Sequence, residues 1–465
     1  MWTYDAAGRA VALDSGAGTL GFEYDAAGRE TARRLGGTVA ISQGWDAMGR
    51  LAALEVSARP SPAGSAVHPA AGSAVLRRRY AYSGSGAVRE IADLHTGSRQ
   101  FTLDATDRVT AVTAADWQES YVYDAAGNLV RSAFTGNTGD ESAHSVRGTL
   151  VHAARRHRYA YDGQGRLVRD DHRLLDGRRR TWTYTWDAED RLVGVRTPDG
   201  SRWRYRYDPF GRRIAKERVG DAGEVLERTE FTWDGPRLAE EGSGPRHRTW
   251  EYAQESHRPL AQISTQDEYD RRFYAIVTDI AGAPTELLDE AGTVVWRLRT
   301  TLWGGGRGSG PEDCPLRFQG QYRDGETALH YNLHRFYDPN TASYVSPDPL
   351  GLDAAPNHHA YVPNPLLWAD PLGLSCDPAG PGNAANYAKQ LRYLQQAQKY
   401  GKGGIRELPD GRIRFYGTVA EAKIAGEMLG RRVVREWDPA TDATRIWQET
   451  VDHSGRVRMS ARTSR

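Results

Sequence analysis

The sequence predicts a mostly β protein built of stacked strand–turn–strand units, with a small α+β domain at its C-terminal end. The first observation is composition: 50 Gly, 23 Tyr and 13 Trp stand against 9 Phe and 4 Met in 465 residues. Such usage favours strands and turns over helices. The other two observations are an internal repeat and an abrupt change of composition after Leu374.

Charge, cysteine content and hydropathy exclude several classes of protein. The 61 Lys and Arg balance the 60 Asp and Glu, so the overall charge points to neither nucleic acid nor acidic lipid. Two cysteines, Cys314 and Cys376, cannot form a disulfide framework. No run of about 18 apolar residues could span a membrane, and the N-terminal residues lack a signal-peptide pattern. We therefore expect a soluble chain of roughly two to four domains.

The repeat reads aromatic-x-aromatic-Asp-x-x-Gly-Arg, and its anchors from Tyr4 to Tyr123 stand 20, 21, 37, 21 and 20 residues apart. The long interval contains a loop-rich insertion at residues 61–66 or a lost copy. Alternate residues of a strand share a face, and Asp-x-x-Gly is turn chemistry. Each unit is therefore predicted to be a strand, a tight turn and a return strand, whose Asp and Arg are turn residues without catalytic chemistry. Clear copies lie at residues 2–9, 22–29, 121–128, 159–166 and 205–212.

This pattern resembles the tyrosine-aspartate (YD) repeats of Rhs proteins, which teneurins and the insecticidal Tc toxins share. In that family the repeats spiral into a hollow β-shell, so the resemblance implies a YD-repeat β-shell over residues 1–270. Because the chain begins within a repeat, either the shell is incomplete or the true start lies upstream.

A second block, residues 271–374, resembles the Rhs-associated core, which closes the shell. It contains the runs 317–322 and 329–339 and carries Asp-Pro-Leu-Gly-Leu twice, at 348–352 and 370–374. In that family the second such motif is an intramolecular aspartyl protease site that cuts after its Leu. The resemblance therefore implies that Asp370 is catalytic and that the bond cut is Leu374–Ser375.

Hydrolysis of a peptide by aspartates needs two carboxylates that share one proton. Asp348 is the candidate partner of Asp370, Asp353 is a weaker one, and Arg335 would bias the protonation of the pair through its charge. The alternative interpretation is that Asp-Pro-x-Gly is only a turn.

The adjacent histidines His358 and His359 depart from the family pattern. They would point in opposite directions on a strand, so we interpret them as structural and predict no metal site there.

Residues 375–465 are predicted to form a separate domain. They hold 16 Lys and Arg against 10 Asp and Glu, whereas the preceding 374 residues hold 45 against 50. Helical spacing predicts a helix from Asn383 to Gly401, and a capping box at Thr418 predicts a second helix that ends at Gly430. Strands are predicted at 405–408, 412–416, 433–437, 444–451 and 456–459.

In Rhs proteins this position carries a variable toxin, which the cut releases for delivery into a competing cell. The tail has a single histidine and neither a cysteine pair nor a phosphate-binding loop, which argues against a metal or a cofactor. A metal-free ribonuclease needs only a base, an acid and cations. We assign catalysis to His453, Glu449 and Arg435, and RNA binding to Lys423, Arg445, Arg456 and Trp447.

Several alternatives stay open. The tail could carry another activity, such as ADP-ribosyl transfer or DNA cleavage, or the chain could be a teneurin-like adhesive scaffold without an enzyme. His453 also fits an ordinary turn, and Glu436 and Glu449 also fit cross-strand pairs with arginines.

The family resemblance also implies partners and a location. The partners that it implies are the chain's own C-terminal domain as encapsulated cargo and a cognate immunity protein, acidic if it covers a basic face. RNA as the toxin's substrate is inferred from the basic and aromatic residues of the tail and not from the resemblance. The protein is expected to be secreted or on the cell surface, and its toxin fragment to reach the cytoplasm of a target cell.

Overall fold

In a computed structural model the chain divides into two compact units, Met1–Pro381 and Gly382–Arg465. The insertion predicted at 61–66 lies outside the described residues. The structure describes residues 1–58, 74–135, 140–267, 270–351, 355–374, 376–378, 400, 405–408, 412–422, 426, 428–438 and 443–462.

Two long meanders dominate the first unit, and in each of them every strand pairs antiparallel with the next one along the chain. Within the described residues the first sheet has 13 strands: β1 (Trp2–Tyr4), β2 (Ala10–Asp14), β3 (Thr19–Tyr24), β4 (Glu30–Leu35), β5 (Val39–Trp45), β6 (Leu51–Ala58), β7 (Ala74–Tyr82), β8 (Val88–Asp93), β9 (Gly97–Leu103), β10 (Val109–Thr113), β11 (Gln118–Tyr123), β12 (Leu129–Thr135) and β13 (Asp140–Ala143).

The second sheet continues directly from the first along the chain. Across the part of the chain that is described it has 16 strands: β14 (Ser145–Arg147), β15 (Leu150–Ala154), β16 (His157–Tyr161), β17 (Leu167–Arg173), β18 (Arg179–Trp186), β19 (Leu192–Arg196), β20 (Arg202–Tyr207), β21 (Arg213–Val219), β22 (Val225–Asp234), β23 (Arg237–Ser243), β24 (Arg246–Tyr252), β25 (Pro259–Thr265), β26 (Arg271–Thr278), β27 (Pro284–Leu288), β28 (Val294–Thr300) and β29 (Gly306–Ser309).

The repeat Asp and Arg build the turns, as predicted. Asp5 Oδ1 accepts the backbone N–H groups of Ala7 and Arg9, each at 2.9 Å, and Arg9 Nε donates to Asp5 Oδ2 at 2.7 Å. Gly8 has φ +77°, a backbone conformation that favours glycine. The same Arg-to-Asp bond recurs at Asp25, Asp46, Asp104, Asp162, Asp187 and Asp208.

The second aromatic residue of each repeat ties it to the repeat before. The hydroxyl of Tyr24 donates to the carbonyl of Ala10 at 2.6 Å, and the hydroxyl of Tyr207 donates to the carbonyl of Leu192 at 2.7 Å. The Arg9 guanidinium lies 5.3 Å from the centre of the Tyr24 ring. A spacing of about 20 residues thus places each ring over the turn of its neighbour, which fits a repeat that contacts mainly its neighbours.

A small sheet packs against the apolar faces of both meanders. Its strands are β30 (Tyr322–Arg323), β31 (His330–Asn332), β32 (Arg335–Asp338) and β33 (Ser343–Tyr344), and it is followed by the pair β34 (Trp368–Ala369) and β35 (Asp377–Pro378). Tyr337 and Tyr344 belong to the core cluster that includes the first meander, whereas Tyr331 and Phe336 belong to a cluster with the second. The small sheet therefore connects the repeats to the residues that follow them.

The described part of the second unit is one antiparallel sheet, in which the short strand β38 pairs only with the N-terminal part of β39. Its strands are β36 (Ile405–Glu407), β37 (Ile413–Tyr416), β38 (Ala420–Glu421), β39 (Met428–Trp437), β40 (Thr444–Asp452) and β41 (Val457–Arg462). The five predicted strands are confirmed; β39 begins five residues earlier than predicted, and the ends of the other four differ by at most three residues. The first predicted helix lies outside the described residues apart from its end, where Tyr400 is helical.

The helix predicted from Thr418 to Gly430 is wrong. Ala420 and Glu421 form β38 and pair with Arg431 and Gly430 of β39. The long strand β39 begins at Met428, inside the predicted helix, because nine of its ten residues pair with β40 and this pairing outweighs the local capping signal.

Candidate active site

Four short elements of the first unit bring the predicted protease residues together. Arg335 opens β32 directly opposite Asn332 at the end of β31, and Tyr344 ends β33. Asp348 follows β33 and begins a turn, since its carbonyl accepts the N–H of Gly351 at 2.8 Å. Asp370 follows β34. Residues far apart in the sequence thus meet at one end of the small sheet.

One nitrogen of Arg335 contacts both predicted carboxylates. Its Nη2 lies 2.8 Å from Asp348 Oδ2 and 3.2 Å from Asp370 Oδ2, so the two oxygens are at most about 6 Å apart. All three side chains are nearly excluded from solvent, with 4% or less of each exposed. The predicted pair of carboxylates is therefore a real spatial pair in a poorly solvated site.

Asp370 accepts hydrogen bonds at both carboxylate oxygens. Oδ1 receives the backbone N–H of Leu374 at 2.9 Å, and Oδ2 receives the hydroxyl of Tyr344 at 2.7 Å. The first of these bonds closes the Asp-Pro-Leu-Gly-Leu segment into a turn on its own carboxylate. Asp-Pro-x-Gly is thus a turn, as one alternative predicted, and in the same arrangement it presents Asp370 beside the predicted cleavage point.

Arg335 also holds the backbone on which the predicted cleavage point lies. Its Nε donates to the carbonyl of Gly373, and its Nη1 donates to the carbonyl of His358 at 3.2 Å. Gly373 has φ +72°, and a Cβ at this position would stand 2.6 Å from the carbonyl oxygen of Asn332. Only glycine fits this close approach of two backbone segments.

The two carboxyl groups have different surroundings. Burial raises the pKa of Asp348 above its ordinary value; the charge of Asp370 adds to this shift, and Arg335 opposes it. Beyond Arg335, Asp348 accepts the N–H of Leu350 at 2.9 Å. Two unlike carboxyl groups that share one cation can hold one proton between them, which is the state needed to activate water and to protonate a carbonyl oxygen.

Sequence reasoning identified Asp348, Asp370 and Arg335 but missed Tyr344 and Asn332. Asn332 Nδ2 donates to the Tyr344 hydroxyl at 2.8 Å and to the Asp370 carbonyl at 2.7 Å. The sequence signal that could have found them is their place in the core block: Asn332 ends the strand before that of Arg335, and Tyr344 ends the strand after it. Asp353 and Ser375 lie outside the described residues.

The expected orientation of His358 and His359 is wrong, because they lie in a turn and not on a strand. Both rings approach the Thr149 hydroxyl, and His359 Nε2 contacts the carbonyl of Gly165 at 3.1 Å. Burial lowers the pKa of His359 to about 4. These contacts fit a structural role for both histidines. Among the described residues, no group of His, Cys, Asp and Glu is arranged to hold a metal.

In the second unit, both carboxylate oxygens of Glu449 accept hydrogen bonds from neighbouring side chains. Arg432 Nη2 and Nε donate to Glu449 Oε2 at 2.7 and 2.9 Å, and Trp447 Nε1 donates to its Oε1 at 3.1 Å. Arg432 and Glu449 are direct cross-strand partners, as one alternative anticipated. Glu436 is bound in the same way by Arg412 and Arg414.

The remaining predicted tail residues lie at different places on the sheet. His453 is exposed in the turn after β40, where its Nε2 contacts the carbonyl of Gly426 at 3.0 Å. Arg445 and Arg456 are exposed near opposite ends of the β40–β41 hairpin, and the Arg435 guanidinium lies 4.7 Å from the Tyr400 ring centre. Lys423 lies outside the described residues.

No described helix has the length and apolar character needed to cross a membrane.

Residues 186–224 match the family model described as RHS Repeat. The fold is similar to that in the structure of the Tc holotoxin pore of Photorhabdus luminescens, with a TM-score of 0.61 and 17% identity over 80% of this chain and 21% of that one. This likeness confirms the predicted fold class, a mostly β YD-repeat shell.

Two curated relatives align with most of the chain. It is 34% identical over 382 residues to the double-stranded DNA deaminase toxin A of Burkholderia cenocepacia, covering 76% of this chain and 26% of that protein. It is 33% identical over 375 residues to the probable deoxyribonuclease RhsA of Dickeya dadantii, covering 79% and 25%. The chain thus spans about a quarter of the length of these relatives. With its repeats, its core block and these relatives, the chain belongs to the Rhs/YD-repeat family of polymorphic toxins.

Proposed function

We propose that this chain is a toxin-delivery protein that cuts its own Leu374–Ser375 bond and so releases its C-terminal domain. The observation that carries the proposal is the buried Arg335 nitrogen shared by Asp348 and Asp370. The turn that begins at Asp370 runs directly to Leu374, whose N–H binds the Asp370 carboxylate. A carboxylate pair beside one particular peptide bond is suited to a single intramolecular cut.

The chemistry follows from the two unlike carboxyl groups. Asp348, whose pKa burial raises, holds the shared proton and donates it to the Leu374 carbonyl oxygen. Asp370, in its ionised form, takes a proton from water as the water oxygen attacks the Leu374 carbonyl carbon. The tetrahedral species then breaks at the C–N bond: the Ser375 nitrogen takes the proton from Asp370, and Asp348 recovers its own. Proximity favours this reaction, because the bond belongs to the same chain as its catalyst.

The test is an intact-mass spectrum of the purified wild-type chain and of Asp370→Asn and Asp348→Asn variants. We expect a fragment that begins at Ser375 in the wild type and an uncut chain in both variants. The matched control is Asp208→Asn, which removes a turn carboxylate that binds Arg212 in a repeat. An uncut wild-type chain, or cutting that survives both substitutions, would refute the proposal.

We propose further that the released domain is a nuclease and, with RNA as the predicted substrate, a metal-free ribonuclease. The domain holds 16 cationic and 10 anionic residues, and Arg445 and Arg456 are exposed. This excess of positive charge suits a phosphate backbone. Exposed His453 suits a general acid, and Glu449, which Arg432 contacts at 2.7 Å, suits a base. Arg435 and Lys423 would stabilise the phosphate, and Trp447 would stack on a base.

A second candidate is an activity on DNA, which the names of both relatives favour. These relatives are named for different activities although they align with similar shares of this chain, so the similarity does not choose between the substrates. Cleaved wild-type protein and its His453→Ala variant would be incubated with RNA, single-stranded DNA and duplex DNA, with and without a chelator. Loss of RNA that resists the chelator and requires His453 supports the ribonuclease. Degradation of DNA alone supports the second candidate.

The proposal also includes the partners and the route of the toxin. Residues 1–374 hold 45 Lys and Arg against 50 Asp and Glu, and the tail has the opposite excess, which supports the tail as cargo of its own shell. An immunity protein that covers the basic tail would be acidic. Secretion and entry into the cytoplasm of a competing cell complete the proposed function.

A further inference from the structure

We propose that Tyr344, oriented by Asn332, is a positioning residue that keeps Asp370 the ionised member of the carboxylate pair. This inference rests on the proposed self-cleavage. It concerns two side chains that are almost entirely buried, Tyr344 with 1% and Asn332 with 0% of its surface exposed.

The direction of the hydrogen bond between Tyr344 and Asp370 is determined by its neighbours. Asn332 Nδ2 lies 2.7 Å from the backbone carbonyl of Asp370, and since a carbonyl only accepts, this amide atom must be the nitrogen. The same nitrogen donates to the Tyr344 hydroxyl at 2.8 Å. The hydroxyl oxygen is therefore an acceptor from Asn332, and its proton is left to point at Asp370 Oδ2, 2.7 Å away.

In this arrangement three donors point at the Asp370 carboxylate. Tyr344 and Arg335 both donate to Oδ2, and the Leu374 N–H donates to Oδ1. A proton on Oδ2 would face two donors, whereas a negative charge there receives two hydrogen bonds. Asp348 shares Arg335 and accepts the Leu350 N–H. The asymmetry thus lies on the Asp370 side of the pair.

The Tyr344 ring contributes to the same arrangement. The Arg335 guanidinium carbon lies 3.6 Å from the centre of the Tyr344 ring, so the ring supports the cation shared by the two carboxylates. Tyr344→Phe would preserve this contact and remove only the hydroxyl. This substitution separates the hydrogen bond from the packing of the ring.

Other ionisable groups also face Asp370. Arg335 and His334 lie on or next to β32, Asp348 lies in the turn after β33, and Tyr361 lies in the segment before β34. His358 faces Asp348. All of these groups remain in Tyr344→Phe, so a change in the pH profile of this variant reports the hydroxyl.

The matched control is Tyr337→Phe. Tyr337 is the direct cross-strand partner of Tyr344, is fully buried, and donates its hydroxyl to the carbonyl of Trp303 at 2.9 Å. Both variants lose one buried tyrosine hydroxyl from the same small sheet. Only one of the two hydroxyls binds a carboxylate of the pair.

Each full-length chain would be purified in denaturant and diluted into native buffers between about pH 4 and pH 8, the range in which carboxyl groups and histidine titrate. The rate of appearance of the Ser375 fragment would be followed by mass spectrometry. We expect the acid-side midpoint of the rate to rise by about one pH unit in Tyr344→Phe, as for the loss of one hydrogen bond to a charged oxygen. The Tyr337→Phe profile should coincide with the wild type.

Each result decides between the two proposals. If the wild type cuts and Tyr344→Phe has the wild-type midpoint, or if both variants shift equally, the role of Tyr344 is refuted while self-cleavage stands. If the wild type does not cut at any pH, the proposed function fails, and the positioning role fails with it. An Asn332→Leu variant should shift the midpoint in the same direction as Tyr344→Phe, since it frees the hydroxyl to rotate.

Discussion

Replacing Arg213 with methionine should strongly destabilise the first unit. Arg213 is the first residue of β21, and Asp324 lies in the loop between β30 and β31. The two form a bidentate ion pair, with 2.7 Å between Nη1 and Oδ2 and 2.9 Å between Nη2 and Oδ1. Neither side chain is exposed at all. The guanidinium lies among five aromatic rings, the nearest that of Tyr331 at 4.3 Å. This ion pair joins the small sheet to the second meander.

The expected loss follows from the burial of the pair. Removal of one partner from a buried ion pair costs about 3–5 kcal/mol, because the other charge stays in a poorly solvated site. Lys216 Nζ, 3.4 Å from Asp324, compensates only in part because it also binds Glu326 at 3.1 Å. A double variant, Arg213→Met with Asp324→Leu, should recover most of the loss, since two apolar side chains can replace a buried pair nearly neutrally.

The assay is equilibrium denaturation in urea followed by tryptophan fluorescence, in an Asp370→Asn background so that every chain is uncut. Arg9→Met is the matched control; its ion pair with Asp5 is partly exposed and should contribute less than about 1 kcal/mol. If Arg213→Met loses less than about 1 kcal/mol of unfolding free energy, or if the double variant is no more stable than the single one, the reasoning is wrong.

Three further predictions concern the site and the tail. Gly373→Ala should abolish self-cleavage in the mass-spectrometric assay, because the added Cβ would stand 2.6 Å from a backbone oxygen. The control Gly8→Ala, at a glycine with a similar φ but open space around it, should cut normally. Equal cutting by both variants would contradict this prediction. The pKa of buried His359 falls to about 4. As the pH falls, His359 is protonated in the unfolded chain before it is protonated in the folded one. The stabilisation should therefore be full above about pH 6.5 and be lost towards pH 4, by up to about 3 kcal/mol. His359→Gln should reduce this loss in denaturation curves measured across pH, and an unchanged pH dependence would count against the prediction. Glu449→Gln should abolish nuclease activity if Glu449 is the base, whereas loss of about 1–3 kcal/mol of stability with activity retained would leave it only as the partner of Arg432.

Much of the fold could be predicted because its information is local. The Asp, Gly and Arg of each repeat bond within five residues of one another, so the turn can be identified from the letters alone. The spacing of about 20 residues then follows from two strands and two turns of typical length. The pair Asp348 and Asp370 was inferred from a repeated motif, and its proximity required the fold of the whole core block.

The tail shows where local reading fails. Thr418 and Glu421 carry a good helix-capping signal, yet the chain there makes the edge strand β38 against β39. A capping box stabilises a helix by only about 1 kcal/mol, and a ten-residue strand that pairs with β40 outweighs it. A single sequence does not reveal which distant strand will offer such a partner.

By itself, the sequence determined the repeat architecture, the turn role of its Asp and Arg, and three of the five side chains at the carboxylate site. Only the tertiary structure decided that Tyr344 and Asn332 complete that site and that Arg335 Nη2 touches both aspartates. The physical reason is range. Turns are set by bonds between residues a few positions apart, whereas the site depends on four short elements that meet only after the small sheet packs against both meanders.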